Sequence, residues 1–143
     1  PSGFHYVGGI VAVSRQKTYL SNDVYAKISN CYAEVSGNVN QSSGNAKYSA
    51  ICAHFITTTE ANYNISSSYY YVTSGNINVA VSGKTDAQLN NAGNSVTKLS
   101  SALTNDSKTL VDGEQVSIIE VLNGGKFQDG RKFNYYNETL ILQ

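Results

Sequence analysis

Two neighbouring segments decide the expected fold: VYAKISNCYAEVSGNV, residues 24–39, and AKYSAICAHFITTT, residues 46–59. Both are rich in Val, Ile, Tyr and Thr, the residue types that favour β-strands. A polar, Gly-containing stretch, residues 40–45, separates them. The pattern predicts two antiparallel strands of one hairpin, with the turn centred between Gln41 and Ser42.

This predicted hairpin places the two cysteines of the chain opposite each other. In the register centred on the turn, Cys31 faces Cys52, and Ile28 faces Phe55 on the same strands. Opposed residues of an antiparallel pair have their Cβ atoms near disulfide distance. We therefore expect a Cys31–Cys52 disulfide, which indicates an oxidising compartment. A zinc or nucleophilic cluster of these thiols with His54 is the alternative interpretation.

Further strands are predicted on both sides of this hairpin. Phe4 to Val13 has strand composition, and Asn62 to Gly83 contains a second hairpin around the Ser74-Gly75 turn. The C-terminal part contains Asp112-Gly113 and Asp129-Gly130, both strong hairpin signals, and Phe133 to Leu142 is long enough to cross a sheet as one strand.

A weak internal echo runs through the first half of the chain. The sequence SGNVN at residues 36–40 resembles SGNIN at residues 74–78, and Tyr25 and Tyr32 match Tyr63 and Tyr70 at the same offset. Echoes of this kind also arise from composition alone in a chain rich in Ser, Asn and Tyr. No part of the fold prediction depends on it.

One segment has helical rather than strand periodicity. Its apolar residues recur at spacings of three and four between residues 85 and 104, and they are Leu89, Ala92, Val96, Leu99 and Leu103. The spacing predicts a helix around residues 85–104, and an irregular loop is the alternative. The fold class expected for residues 1–143 is a single, mainly β domain, an antiparallel sandwich or barrel of about eight strands.

Composition narrows the possible partners and locations. Charged residues make up 14% of the chain, against roughly 25% in average soluble domains. Ten basic and ten acidic residues leave no positive surface for nucleic acid, and no run of about 20 apolar residues is long enough to span a bilayer. The chain begins at Pro1 and contains no Met, which fits a removed signal peptide or a shortened sequence. We expect a secreted or cell-surface protein.

No motif identifies a catalytic site, a metal site or a cofactor site, and the sequence predicts none of the three. Carboxylates that could act in glycoside hydrolysis are scattered along the chain, and they are Glu34, Glu60, Glu114, Glu120 and Glu138. Nothing in their spacing brings two of them together. Acidic residues in the turns near Asp112 and Asp129 allow a calcium site as an alternative, although the calcium-loop motif is absent.

Tyrosines form the candidate binding surface. Alternation along a strand places Tyr69 and Tyr71 on one face and Tyr70 on the other, and Tyr135 and Tyr136 raise the same possibility near the C-terminus. A half-exposed tyrosine offers a rigid ring and a hydroxyl to a sugar or a protein partner. The alternative interpretation is that one of these faces packs in the core.

The expected function is that of an extracellular, non-catalytic structural or adhesion protein. The composition is similar in style to that of secreted adhesins, pilus and filament subunits, and carbohydrate-binding modules. Phe4 to Val13 is the predicted exchanged strand of a homo-oligomer or of a complex with another surface protein. The alternatives are a monomeric carbohydrate-binding module that uses exposed tyrosines and a small secreted toxin or effector.

Overall fold

A computed structural model describes residues 5–15, 17–19, 22–24, 27–38, 46–56, 63–124, 130–136 and 138–143. This part of the chain is mainly β. The strands are β1 (His5–Gly8), β2 (Val11–Arg15), β3 (Lys17–Tyr19), β4 (Asn22–Val24), β5 (Ile28–Ser29), β6 (Tyr32–Gly37), β7 (Ala46–Ser49), β8 (Cys52–Ile56), β9 (Ile65–Ser66), β10 (Ser68–Gly75), β11 (Val96–Lys98), β12 (Lys108–Val111), β13 (Glu114–Ser117), β14 (Phe133–Tyr136) and β15 (Thr139–Leu142). The helices are α1 (Asp86–Asn91) and α2 (Ile118–Asn123).

Parallel pairing between distant strands builds the first part of the molecule. β1 pairs with β7, β2 with β8, β5 with β9, and β6 with β10, always in parallel. The paired residues are 37 to 41 positions apart, as in Tyr32 with Tyr69 and His5 with Ala46. β11 then pairs with β10, and Val81 bridges Cys52 in the same parallel sense. The described residues within 5–38, 46–78 and 79–98 thus form three stacked coils, which make a short β-solenoid.

The predicted hairpin of residues 24–39 with residues 46–59 is therefore wrong. β6 pairs with β10 and β8 pairs with β2, so each segment finds its partner in a neighbouring coil. Period-2 alternation decides which side chains point inward, but it does not decide which strand lies alongside. The described strands form several small sheets and no closed barrel, and an eight-stranded sandwich is not confirmed.

The two cysteines are not bonded to each other. The Cys31 thiol donates to the carbonyl oxygen of Ser29 at 3.1 Å, and the Cys52 thiol contacts the carbonyl oxygen of His54 at 3.6 Å. Cys52 pairs along its backbone with Val11. The expected disulfide depended on the antiparallel register, and the parallel stacking of coils removes that register.

The Ser-Gly part of the sequence echo reflects the coil repeat. Ser36 pairs with Ser74 and Gly37 with Gly75, at an offset of 38 residues. The pairing is shifted between Val72 and Ser74 by a bulge, so earlier positions on these strands pair at an offset of 37. Tyr32 consequently pairs with Tyr69 rather than with Tyr70.

Ser74-Gly75 is not the turn of a hairpin, because both residues end β10, which pairs in parallel with β6, but Gly75 has a steric role there. Gly75 has a φ of +99°, and a Cβ atom there would lie 1.9 Å from the carbonyl oxygen of Gly37 in the coil beside it. Gly37 also has a positive φ of +144°, but a Cβ there would meet no atom within 4 Å. The close approach of two coils at this corner requires glycine in the second coil.

Apolar side chains from all three coils fill the solenoid interior. The fully buried members include Ile51, Cys52, Tyr70 and Leu89. The Tyr70 hydroxyl donates to Asp86 Oδ2 at 2.8 Å, and Asp86 Oδ1 accepts from the backbone N–H of Ala80 at 3.2 Å. A buried tyrosine needs such a polar partner for its hydroxyl. Asp86 supplies it from the first turn of α1.

The helix predicted around residues 85–104 is confirmed only for Asp86–Asn91. Thr85 and Gln88 form a capping box at its start, and Leu89 is its buried residue. Gly93 follows with a φ of +84°, and the chain then enters β11, which begins at Val96. The remaining apolar residues of the predicted helix lie in a strand and in a second hydrophobic core instead. Tertiary pairing outweighs a weak helical periodicity here.

The C-terminal residues form local hairpins. β12 and β13 pair antiparallel around Asp112-Gly113, both with positive φ, as the turn signal predicts. β14 and β15 pair antiparallel as well, so residues 133–142 are a hairpin rather than one long strand. Glu138, at φ +60°, lies in its turn. Asp129 lies outside the described residues, and so does the turn between Gln41 and Ser42.

α2 and the β14–β15 hairpin pack on one outer face of the solenoid, and we call the described residues between 99 and 143 the C-terminal layer. The buried residues of this contact are Tyr69, Leu103, Ile118 and Leu122. The Asn30 side chain donates to the Val121 carbonyl oxygen and links the first coil to α2. The molecule therefore has one core between coils and a second core between the coils and the C-terminal layer.

The segment predicted to exchange strands lies in the chain's own sheets. Its described residues belong to β1 and β2, which pair with β7 and β8. Among the described strands, β1 and β2 pair on one side only, so strand exchange through Phe4 to Val13 stays a prediction. Neither α1 nor α2, nor any other helix in the described ranges, has the length and apolar character needed to cross a membrane.

Candidate functional site

Strand β6 supplies one wall of a groove between the two parts of the molecule. Ala33 and Val35 point into the solenoid core. Tyr32 and Glu34 occupy the alternate positions and point outward, where Tyr32 packs against the C-terminal layer and Glu34 is exposed. Two polar side chains therefore lie on the outer face of β6, and the inner face of this strand packs in the core.

The β14–β15 hairpin supplies the opposite wall. Tyr135 is half-buried on β14, and the turn after it carries Glu138. The groove between the walls has a volume of about 460 Å³. Its described lining residues are Tyr32, Glu34, Ala102, Leu103, Tyr135, Glu138, Thr139 and Leu140.

Hydrogen bonds hold the Tyr32 side chain in place within this groove. Its hydroxyl oxygen accepts from the backbone N–H of Leu103 at 3.2 Å, and the hydroxyl donates to Glu34 Oε2 at 3.2 Å. Burial raises the pKa of Tyr32, and the negative charge of Glu34 raises it further, while the bond from Leu103 opposes the shift. Tyr32 is therefore a neutral phenol at physiological pH.

The groove is acidic. Of its described lining residues, Glu34 and Glu138 carry charge and none is basic. No salt bridge joins either carboxylate to another residue in the part of the chain that the structure describes. Two carboxylates with aromatic rings beside them can accept hydrogen bonds from hydroxyl or ammonium groups of a ligand.

The tyrosines predicted to bind a ligand fall into different environments. Tyr69 is buried at 5% exposure in the second core, so it is not available for binding. Tyr71 is half-buried beside Glu34 on the neighbouring strand, and Tyr136 is 65% exposed. Tyr135 lines the groove.

The sequence named Glu34 and Glu138 only as scattered carboxylates with nothing to bring them together, and it assigned Tyr32 to no site. Tyr32 and Glu34 alternate on one strand, which is a readable signal for a shared face. Their proximity to Glu138 depends on a hairpin about a hundred residues later. No local pattern contains that information.

The cysteines and His54 do not form a reactive or metal-binding cluster in the structure. Burial raises the pKa of Cys52 to about 11 and also raises the pKa of Cys31. Both are therefore thiols rather than thiolates at neutral pH, and a thiol is a poor nucleophile. Within the described ranges, no group of three or more His, Cys, Asp and Glu residues is placed to hold a metal ion.

Comparison with known protein families, curated proteins and solved structures finds no match to this chain.

Proposed function

We propose that this chain is an extracellular, non-catalytic adhesion domain that binds a carbohydrate in the groove between β6 and the β14–β15 hairpin. The observation that carries the proposal is the pairing of Tyr32 and Tyr135 with two carboxylates in one open groove of about 460 Å³. That volume is within the range of about 300–1,000 Å³ that is usual for small-ligand sites.

The chemistry of the lining suits a sugar. Tyrosine rings pack against the apolar faces of sugar rings, and carboxylate oxygens accept hydrogen bonds from sugar hydroxyls. Glu34 keeps acceptor capacity on Oε1, since the bond from the Tyr32 hydroxyl goes to Oε2. The second core fixes both walls, which reduces the entropy that the protein loses on binding.

Secretion or display at a cell surface forms part of the proposal on compositional grounds. The chain has few charges and many Ser, Thr and Asn residues, which give a neutral, hydrogen-bonding surface. The unbonded cysteines contribute nothing to the choice of compartment.

The test compares two adjacent tyrosines of β14. Tyr135→Ala removes a ring from the groove, whereas Tyr136→Ala removes an exposed ring that does not line it. We expect the wild type and Tyr136→Ala to bind the same glycans on an array. Tyr135→Ala should lose roughly tenfold in affinity by calorimetry, which corresponds to about 1.4 kcal/mol.

Thermal unfolding of both variants is the control for folding. Loss of glycan binding in Tyr136→Ala but not in Tyr135→Ala would overturn the assignment of the groove. The absence of any glycan ligand for the folded wild type would overturn the proposed function.

A structural subunit is the second candidate, and the open edge of the first coil favours it. Among the described strands, β1, β2, β5 and β6 each pair on one side only. Such an edge can accept a second copy of the chain through the same parallel pairing that stacks the coils. Sedimentation velocity at rising protein concentration tests it: growing oligomers support assembly, and a constant monomer mass excludes it.

A further inference from the structure

The charge of the groove differs from that of the chain as a whole. Ten basic and ten acidic residues give a formal net charge of zero. The groove nevertheless brings together Glu34 from the first coil and Glu138 from the β14–β15 turn, and no basic side chain lines it among the described residues. The negative potential is therefore local to this site.

The side chains between these carboxylates are suited to a cation. The Tyr32 hydroxyl donates to Glu34 and accepts from Leu103, and the Tyr32 side chain lines the groove. Tyr135 adds a second ring from the other wall. Aromatic faces flanked by carboxylates attract ammonium groups through the ring quadrupole and through direct charge pairing.

We propose that the groove selects an amino sugar with a free, protonated amine over the neutral sugar with the same ring. This inference rests on the proposed function, because it names the class of carbohydrate that the same groove binds. A neutral sugar satisfies the carboxylates only through hydroxyl hydrogen bonds and leaves two negative charges unneutralised. An ammonium group in this groove offsets the negative charge of Glu34 and Glu138 and donates up to three hydrogen bonds.

The experiment uses a glucosamine trimer and its fully N-acetylated counterpart, which share one backbone and differ in charge. Calorimetry at pH 6 and low salt measures the affinity of the protein for each trimer. We expect the glucosamine trimer to bind at least tenfold more tightly, and its affinity to fall as salt is added.

Variants separate the contribution of the charge from that of the rings. Glu34→Gln and Glu138→Gln should each reduce the preference for the glucosamine trimer by severalfold, and Glu34→Gln keeps an acceptor for the Tyr32 hydroxyl. Glu114→Gln is the matched control, because Glu114 is exposed on β13 and does not line the groove. Tyr135→Ala should weaken binding of both trimers.

The outcomes distinguish this inference from the proposed function. Equal affinities, or tighter binding of the acetylated trimer with loss in Tyr135→Ala, would overturn the preference for a free amine and support a neutral-sugar groove. A preference that Glu114→Gln reduces as much as Glu34→Gln would also overturn it. Binding of neither trimer would overturn this inference, and a Tyr135-dependent ligand elsewhere on the array would then leave the proposed function standing.

Discussion

The coils and the C-terminal layer are both rich in strands. They differ in how far apart in the sequence the paired strands lie. Apart from β3 and β4, which form a local antiparallel pair, the strands of the coils pair in parallel with residues 28 to 41 positions away, as in Ser68 with Val96 and His5 with Ala46. Strands of the C-terminal layer pair antiparallel within nine positions, as in Lys108 with Ser117. Local turn chemistry can form the second kind of pair, whereas the first kind requires a complete coil to be in place.

This contrast explains why the groove lies where it does. β6, which carries Tyr32 and Glu34, pairs with β10 in the coil stack, and Tyr135 is carried by a hairpin that packs on that stack through the second core. One wall of the groove therefore depends on pairing between strands far apart in the sequence, and the other wall is a local hairpin. A destabilising substitution in either part should weaken ligand binding, but the two should change the free energy of unfolding by different amounts.

The largest expected effect is the loss of a coil-core side chain. Ile51 is fully buried in the first core. Ile51→Ala should lower the free energy of unfolding by about 2–5 kcal/mol, because it leaves a cavity where the coils meet. Leu110→Ala is the control, since Leu110 is 65% exposed on β12. Urea denaturation measures both, and an equal loss in the two variants would contradict the assignment of the coils as the main core.

The next effect is confined to the second core. Leu122→Ala removes a buried side chain of α2, and we expect a loss of about 2–3 kcal/mol that appears mainly as opening of the C-terminal layer. Amide hydrogen exchange should accelerate in β14 and β15 while β8 stays protected. Equal acceleration in β8 would show that the two cores unfold as one unit.

A smaller effect should distinguish the two stacked glycines. Gly75→Ala places a Cβ against the Gly37 carbonyl oxygen and should destabilise the protein by about 2 kcal/mol. Gly37→Ala meets open space and carries only the strain of its positive φ, about 1 kcal/mol. Thermal unfolding measures the difference, and the reverse order would show that the coils do not approach each other at this corner.

The smallest effect concerns alkaline pH. Burial raises the pKa of Tyr70 well above 10. The hydrogen bond to Asp86 and the negative charge of Asp86 act in the same direction. Since the folded state holds this phenol protonated, its contribution to stability is complete below about pH 10 and decreases as the pH rises further. The decrease is at most about 1.4 kcal/mol per pH unit for one proton.

Urea denaturation between pH 8 and 11 tests this dependence. Tyr70→Phe should reduce the alkaline loss of stability, at a cost of about 0.5–1.5 kcal/mol at pH 8 for the missing hydrogen bond. Tyr71→Phe is the matched control on the neighbouring position of β10. An alkaline slope that Tyr70→Phe leaves unchanged would place the pH-sensitive group elsewhere.

The sequence was informative where one residue pair decides a local conformation. Asp112-Gly113 predicted a hairpin that the structure contains, because both residues adopt the positive φ that such a turn needs. The helix predicted around residues 85–104 likewise begins near its predicted start, with Thr85 as the cap of α1. Of the predicted ligand-binding tyrosines, Tyr135 lines the groove, whereas Tyr69 is buried by a layer that alternation does not reveal.

The sequence by itself determined the β-rich character of the chain, the inward and outward faces of its strands, and the turn between β12 and β13. Each of these follows from residue types a few positions apart. Only the tertiary structure decided that Ser36-Gly37 lies beside Ser74-Gly75 and that Cys31 stays unbonded. Alternation is satisfied equally by antiparallel and by parallel partners, so the choice depends on how whole coils stack and fill a common core.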